Sequence, residues 1–133
     1  MKKLLEFWFK VFRSFAPASK GILSGFGERN MRVHGLALVV VVATGAIVGL
    51  ERYEWLFVLI AIGLVMAAEL INTGIEELSN IVRDELHLSY QATRRARDVS
   101  SGAVLVLTVL SICIAVVVFL PKILEMAGAS NLL

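Results

Sequence analysis

Three stretches of this chain contain no Asp, Glu, Lys or Arg: Val33–Leu50, Trp55–Ala68 and Val99–Pro121. A segment that crosses hydrocarbon needs about 20 helical residues, because lipid offers no partner to a free backbone N–H or C=O. The first and third stretches reach that length with little or no extension. The second has 14 residues, so to span it has to take in Glu69 and run to about Ile75. Leu70, Ile71 and Ile75 keep it apolar that far. The expected fold is therefore all-α and integral to a membrane, one domain over 1–133 with spans at about 33–50, 55–75 and 99–121.

Composition agrees with this. Of the 133 residues 58% are hydrophobic and 18% charged, against about a quarter charged in an average soluble domain. The charges cluster outside the three apolar blocks, so membrane lipids are the expected surroundings and no nucleic-acid partner is expected. Cys113 is the single cysteine. It lies in an apolar run and reads as a small buried hydrophobe.

Before the first span, Lys3, Glu6, Lys10 and Arg13 recur at spacings of three and four, while Leu4, Leu5, Trp8, Val11, Phe12 and Phe15 fill the opposite side. The charges break the apolar core that a secretion signal needs. The pattern predicts an amphipathic surface helix over about 3–16, ended near Pro17.

Basic residues set the orientation. Seven precede the first span (Lys2, Lys3, Lys10, Arg13, Lys20, Arg29, Arg32) and four lie between the second and third (Arg83, Arg94, Arg95, Arg97). Only Arg52 and Lys122 fall on the other side. The expectation is an inner (plasma) membrane protein with a cytoplasmic N-terminus and an external C-terminus. Gly45 and Gly49 form a GxxxG, which permits close helix approach and carries no functional weight by itself.

The polar residues inside this frame narrow the function. In AELINTGIE (68–76), Glu69 lies 14 residues past Trp55, roughly 21 Å along a helix and so just inside the cytoplasmic boundary. Thr73, Glu76 and Asn80 fall within about 40° of Glu69 around the axis, with Asn72 about 60° away from it. Glu69 and Glu76 are about 10 Å apart along it, too far to hold one atom and suited to two reactants. GERNMRVH (27–34) brings Glu28, Asn30, Arg32 and His34 to the same boundary, and RDELHLSYQATRRARD (83–98) adds Asp84, Glu85, His87, Arg94, Arg97 and Asp98. Carboxylates beside arginines suit a Mg²⁺–nucleotide site. Arginines after a span also serve as topology anchors, and no soluble-kinase motif is present.

ERNMRVH, AELINTGIE and RARDVSSGAVL, in this order around three spans, resemble the prokaryotic diacylglycerol kinase family, which includes the undecaprenol kinases. The resemblance implies a homotrimer of small three-span subunits with a surface helix. It implies transfer of the γ-phosphate of ATP, with Mg²⁺, to the hydroxyl of a lipid alcohol. Carried onto this chain, Glu69 is the implied general base and Asn72 the group that orients the lipid hydroxyl or Glu69. Glu28 and Glu76 are the implied Mg²⁺ ligands and bind ATP through it. Glu85, His87, Arg97 and Asp98 match the nucleotide-contact stretch. Two departures stand out: Arg97 where the family usually has Lys, and Asn80 where it often has Asp.

Two other classes fit a membrane acid. A proton-coupled exporter needs its acid near the bilayer midplane, open to both sides, whereas Glu69 falls near one face. A non-catalytic scaffold leaves the polar stripe without a purpose.

Overall fold

The charge-free stretches become three long helices because each can pair its backbone only with itself. The computed structural model describes residues 1–128, which take in all but the last few residues of the expected domain. Four helices follow in order: α1 (Lys2–Gly25), α2 (Arg29–Val48), α3 (Arg52–Asp84) and α4 (Arg94–Met126), with a short 3-10 turn at Tyr90–Thr93 before α4. No strand occurs among the described residues. The helices α2 and α3 are each long and apolar enough to cross a membrane, as is the stretch Tyr90–Met126 that contains α4. The large apolar side chains they expose, Val39, Ile47, Leu56, Leu105 and Val117 among them, fit lipid as their solvent. This is an all-α integral membrane protein.

α3 is the central element, packed along α4 and touching α2 and α1. Its 33 residues make it about 50 Å long, more than a hydrocarbon core about 30 Å thick can hold. Its C-terminal turns therefore project from the apolar layer, carrying Glu76 and the residues after it.

One expected boundary is corrected: the surface helix does not end near Pro17 but runs to Gly25. The helix α4 likewise continues through Pro121 to Met126. A proline inside a helix removes one N–H and frees the carbonyl four residues earlier, kinking more readily than ending it. Ala16, Ala18 and Lys20 around Pro17 are good helix formers and carry the turn through. Trp8 packs edge-on to Phe7 and beside Phe12. The apolar face of α1 is otherwise exposed, and among the described residues nothing of this chain covers it.

The α2–α3 hairpin shows what the GxxxG does. Gly49 adopts φ 71° and ψ 56°, the left-handed region that costs other L-residues about 1–2 kcal/mol. It lets the Leu50 N–H donate back to the Gly45 carbonyl at 3.1 Å, closing α2 as a Schellman motif does. A Cβ on Gly45 would stand 2.9 Å from both Leu50 and the Trp55 ring. The pair of glycines is thus used within the chain, to fold the hairpin. Glu51 and Glu54 then cap α3 reciprocally, the Glu51 N–H donating to Glu54 Oε2 at 2.6 Å. Beside this turn Leu50, Val58, Val118 and Phe119 form the buried apolar core, with Trp55 and Ile62 against it. Lys122 of α4 lies 3.4 Å from Glu54 and 3.8 Å from Glu51. One end of the bundle is therefore closed by hydrocarbon and an ion pair.

Gly45→Val is expected to lower the thermal midpoint in detergent by the equivalent of about 1–3 kcal/mol, the usual cost of overpacking a rigid neighbour. Gly63→Ala, where an added Cβ meets nothing within 4 Å, should leave the midpoint unchanged or raise it. Equal losses in both would contradict the close approach at Trp55.

Candidate active site

The other end of the bundle is polar. The chain reverses between α1 and α2 in a tight turn, with Gly27 N–H donating to Ser24 O and Glu28 N–H to Gly25 O, each at 2.9 Å. That turn leaves Glu28 as the N-cap of α2, in extended conformation at φ −77° and ψ 145°. A carboxylate is favoured there by the positive end of the helix dipole. Across from it, the spacing of α3 stacks Glu69, Asn72, Thr73 and Glu76 along one side. Glu28, Arg29 and Asn30 from the start of α2 and these four from α3 line one cavity of about 190 Å³. Four residues singled out in the sequence, Glu28, Glu69, Asn72 and Glu76, are thereby brought together.

Glu69 is the deepest of them. Its side chain is 4% exposed, and its Oε1 lies 3.0 Å from His34 Nε2 on α2. A buried carboxylate without a partner is strongly unfavourable, so this contact fixes the rotation of α2 against α3. The partner of Glu69 in the structure is His34, while the hydrogen bonds of Asn72 go to Glu76 and Ser100.

Asn72 is instead held between two other groups. Its Nδ2 donates to Glu76 Oε1 at 2.9 Å, and its Oδ1 accepts from the buried hydroxyl of Ser100 on α4 at 2.7 Å. The direction of this chain follows from donor chemistry. An ionised carboxylate only accepts, so the amide must turn its N–H to Glu76 and its oxygen to Ser100. The Ser100 hydroxyl has one proton. With that proton on Asn72, the Arg97 carbonyl at 3.0 Å is a near neighbour and not a second acceptor. Ser100 escaped the sequence reading because nothing in a lone serine 28 positions away points to Asn72; its place in RARDVSSGAVL was the only available hint.

Glu85, His87, Arg97 and Asp98 do not line this cavity. Glu85 is the C-cap of α3, and His87 follows in the connecting loop with φ 53°. Asp98 is exposed, 3.6 Å from Arg94. Arg97 lies over the Tyr90 ring, its Cζ 3.3 Å from the centroid, and its Nη2 donates to Tyr90 O at 3.0 Å. A planar fork can stack and donate at once, which an ammonium cannot. Its Nε is buried and has no partner among the described residues. Arg83 pairs with Asp84 through bonds of 2.6 and 2.8 Å, and that hydrogen bonding holds the Asp84 carboxyl below its usual range. The pair is on the surface and adds little to stability. Among the described residues no three acidic, His or Cys side chains cluster as a resident metal site.

A second cavity, of about 180 Å³, runs along the hydrocarbon side of the site between α2, α3 and α4. His34 stands in its wall with Leu38, Val65, Met66, Thr108 and Ser111, and Phe119 lies in the lining as well. His34 is thus common to the apolar cavity and, through Glu69, to the polar one.

Removing the Ser100 hydroxyl would leave the buried Asn72 oxygen without a donor. Ser100→Ala should cost about 1–3 kcal/mol in thermal or denaturant unfolding. Combined with Asn72→Ala, the loss should fall short of the sum of the singles, because both break one chain. Strict additivity would show that the bond carries no energy.

Known sequences were compared with the chain. The family model described as Prokaryotic diacylglycerol kinase matches residues 16–119. An undecaprenol kinase of Bacillus subtilis (strain 168) is 35% identical over 114 residues, 85% of this chain and 90% of that protein. A diacylglycerol kinase of Synechocystis sp. is 26% identical over 114 residues, which is 64% of that protein's length. Among solved structures none gives a significant match. The matched region takes in both cavity-lining helices and the Ser100 end of α4, and on it the chain belongs to the prokaryotic diacylglycerol kinase family.

Proposed function

We propose that this chain is an ATP-dependent kinase that phosphorylates the hydroxyl of a lipid alcohol, diacylglycerol or undecaprenol. The reaction takes place at the cytoplasmic boundary of the inner membrane, with the N-terminus cytoplasmic, the C-terminus outside and a homotrimer as the working assembly. One observation carries the reading: Glu28, Glu69, Asn72 and Glu76 line a single polar cavity whose deepest member is buried at the hydrocarbon edge. A lipid hydroxyl and a water-borne phosphate donor meet only at such a boundary.

The donor set also suits Mg²⁺. This ion takes one or two carboxylates and fills its remaining positions with phosphate oxygens and water. Glu28 and Glu76 offer that many, and the lack of a three-ligand cluster among the described residues fits a cation that arrives with ATP. Glu28 and Glu76 would hold it, and when bound it draws negative charge from the phosphate oxygens.

Within the chain, Glu69 takes the hydroxyl proton as the lipid oxygen bonds to the γ-phosphorus and the bond to the β–γ bridging oxygen breaks. The electron pair of that bond leaves with ADP. Asn72 keeps an N–H directed at Glu76 and so sets that carboxylate in the cavity. Burial keeps water from competing with the lipid hydroxyl for Glu69. Glu85, His87, Arg97 and Asp98 belong to the end of α3, the loop after it and the start of α4, past Glu76 along the chain, and there they would contact the nucleotide.

Incubating the detergent-solubilised protein with radiolabelled MgATP and mixed lipid alcohols tests the proposal, with labelled phospholipid as the expected product. Glu69→Gln keeps the shape and loses basicity, so it should remain folded and lose about 10²–10⁴-fold in kcat. Activity within about threefold of the parent would remove Glu69 from the role of base.

Glu28→Gln and Glu76→Gln should each raise the Mg²⁺ concentration needed for half-maximal rate, since each removes an anionic oxygen from a hard cation. The double variant should be little worse than the poorer single, as both act on one ion. Unchanged midpoints in both singles would overturn the assignment.

A further inference from the structure

We propose that His34 is the residue that positions the general base, an inference that rests on the lipid-kinase reading above. Glu69 Oε1 and His34 Nε2 are in polar contact, 3.0 Å apart, and two facing lone pairs would repel at that distance, so one of the two atoms carries a proton. An ionised carboxylate has none to give, so the proton belongs to Nε2. Oε1 is then occupied, and Oε2 is the oxygen left free for the substrate hydroxyl. His34 thereby selects which oxygen of Glu69 works and holds the carboxylate against rotation.

The surroundings of His34 give the same assignment from the substrate's side. Its side chain is 21% exposed while that of Glu69 is 4% exposed, so the ring stands between the buried acid and the surface. The same ring closes the Glu69 end of the apolar cavity, among Leu38, Val65 and Met66. A hydroxyl at the end of a hydrocarbon chain comes to rest at that junction. A base there gains from a fixed direction, since misplacement by about 1 Å can cost on the order of 10²-fold in rate. Ser100 and Asn72 act on Glu76, the carboxylate assigned to the phosphate side. His34 acts on Glu69, the one assigned to the lipid side.

The test uses the full chain in detergent with MgATP and a lipid alcohol. His34→Ala should lower kcat by about 10–100-fold while the KM for ATP and the Mg²⁺ midpoint stay within about twofold of the parent. His34→Gln, which keeps an N–H donor near the position of Nε2, should recover most of the lost rate. Isotope-edited NMR of the imidazole nitrogens, assigned by loss of the signal in His34→Gln, should find His34 Nε2 protonated in the unliganded protein. The inference is overturned if His34→Ala retains kcat, if the Gln variant is as poor as the Ala variant, or if KM for ATP changes in step with kcat. An unprotonated Nε2 overturns it independently of any assay. A parent protein that phosphorylates no lipid alcohol removes the kinase reading itself, and the NMR result then still reports on the contact.

Discussion

A carboxylate buried among apolar helices has to be met by another side chain, and that requirement organises this molecule. Between hydrocarbon-faced helices in lipid there is little hydrophobic force to choose one rotation over another, so polar contacts and close packing decide. Glu69 supplies the strongest demand. His34 meets it from α2, and a turn further along α3 Asn72 is met by Ser100 from α4. The central helix is thus tied to both neighbours at one level of the bundle. At the other end, small residues and rings do the same work, with Gly45 under Trp55 and Phe119 against Val58. The chain keeps its apolar packing away from its chemistry.

Much of this could be read from residues alone, and what could not has identifiable reasons. Spans are legible because lipid imposes a length and forbids charge, so the helices follow from where the charges stop. The stripe Glu69, Thr73, Glu76 on α3 follows from helical period. Glu28 joins them because only a short turn separates α1 from α2. The pairing of His34 with Glu69 is different in kind. Period places His34 on a face of α2, but nothing local says which face meets α3; the answer lies in the tertiary contact. Ser100 and Asn72 are hidden for the same reason. Pro17 misled in the opposite direction, since a proline is punctuation in sequence yet interrupts only one hydrogen bond in a helix that continues, as Pro121 also does in α4.

Arg97 has a local reason to be an arginine. Tyr90 presents a ring face and a carbonyl to the same guanidinium. Arg83 also approaches that ring, at 6.0 Å. The stack ties the end of α3, the 3-10 turn and the start of α4 into one piece. A lysine could serve phosphate as a point charge but could not hold Tyr90 in this way. The arginine at 97 and the tyrosine at 90 are therefore best understood as one unit that orders the loop carrying Glu85 and His87.

The same geometry argues against proton-coupled export. An exporter's acid has to be reached by protons from both sides of the membrane in turn. On the α2–α3 hairpin side of Glu69, the cavity between the helices is walled by Leu38, Val41, Val58, Val65 and Phe119, with Thr108 and Ser111 as its hydroxyls. Hydrocarbon of this kind conducts no protons, and beyond it the bundle is shut by the Leu50–Val58–Val118–Phe119 core and the Lys122–Glu54 pair. Among the described residues Glu69 faces the polar cavity that Glu28 and Glu76 also line. An acid that lines a polar cavity, with its histidine partner in the wall of an apolar one, suits the proposed transfer to a lipid alcohol, a molecule that itself has both characters.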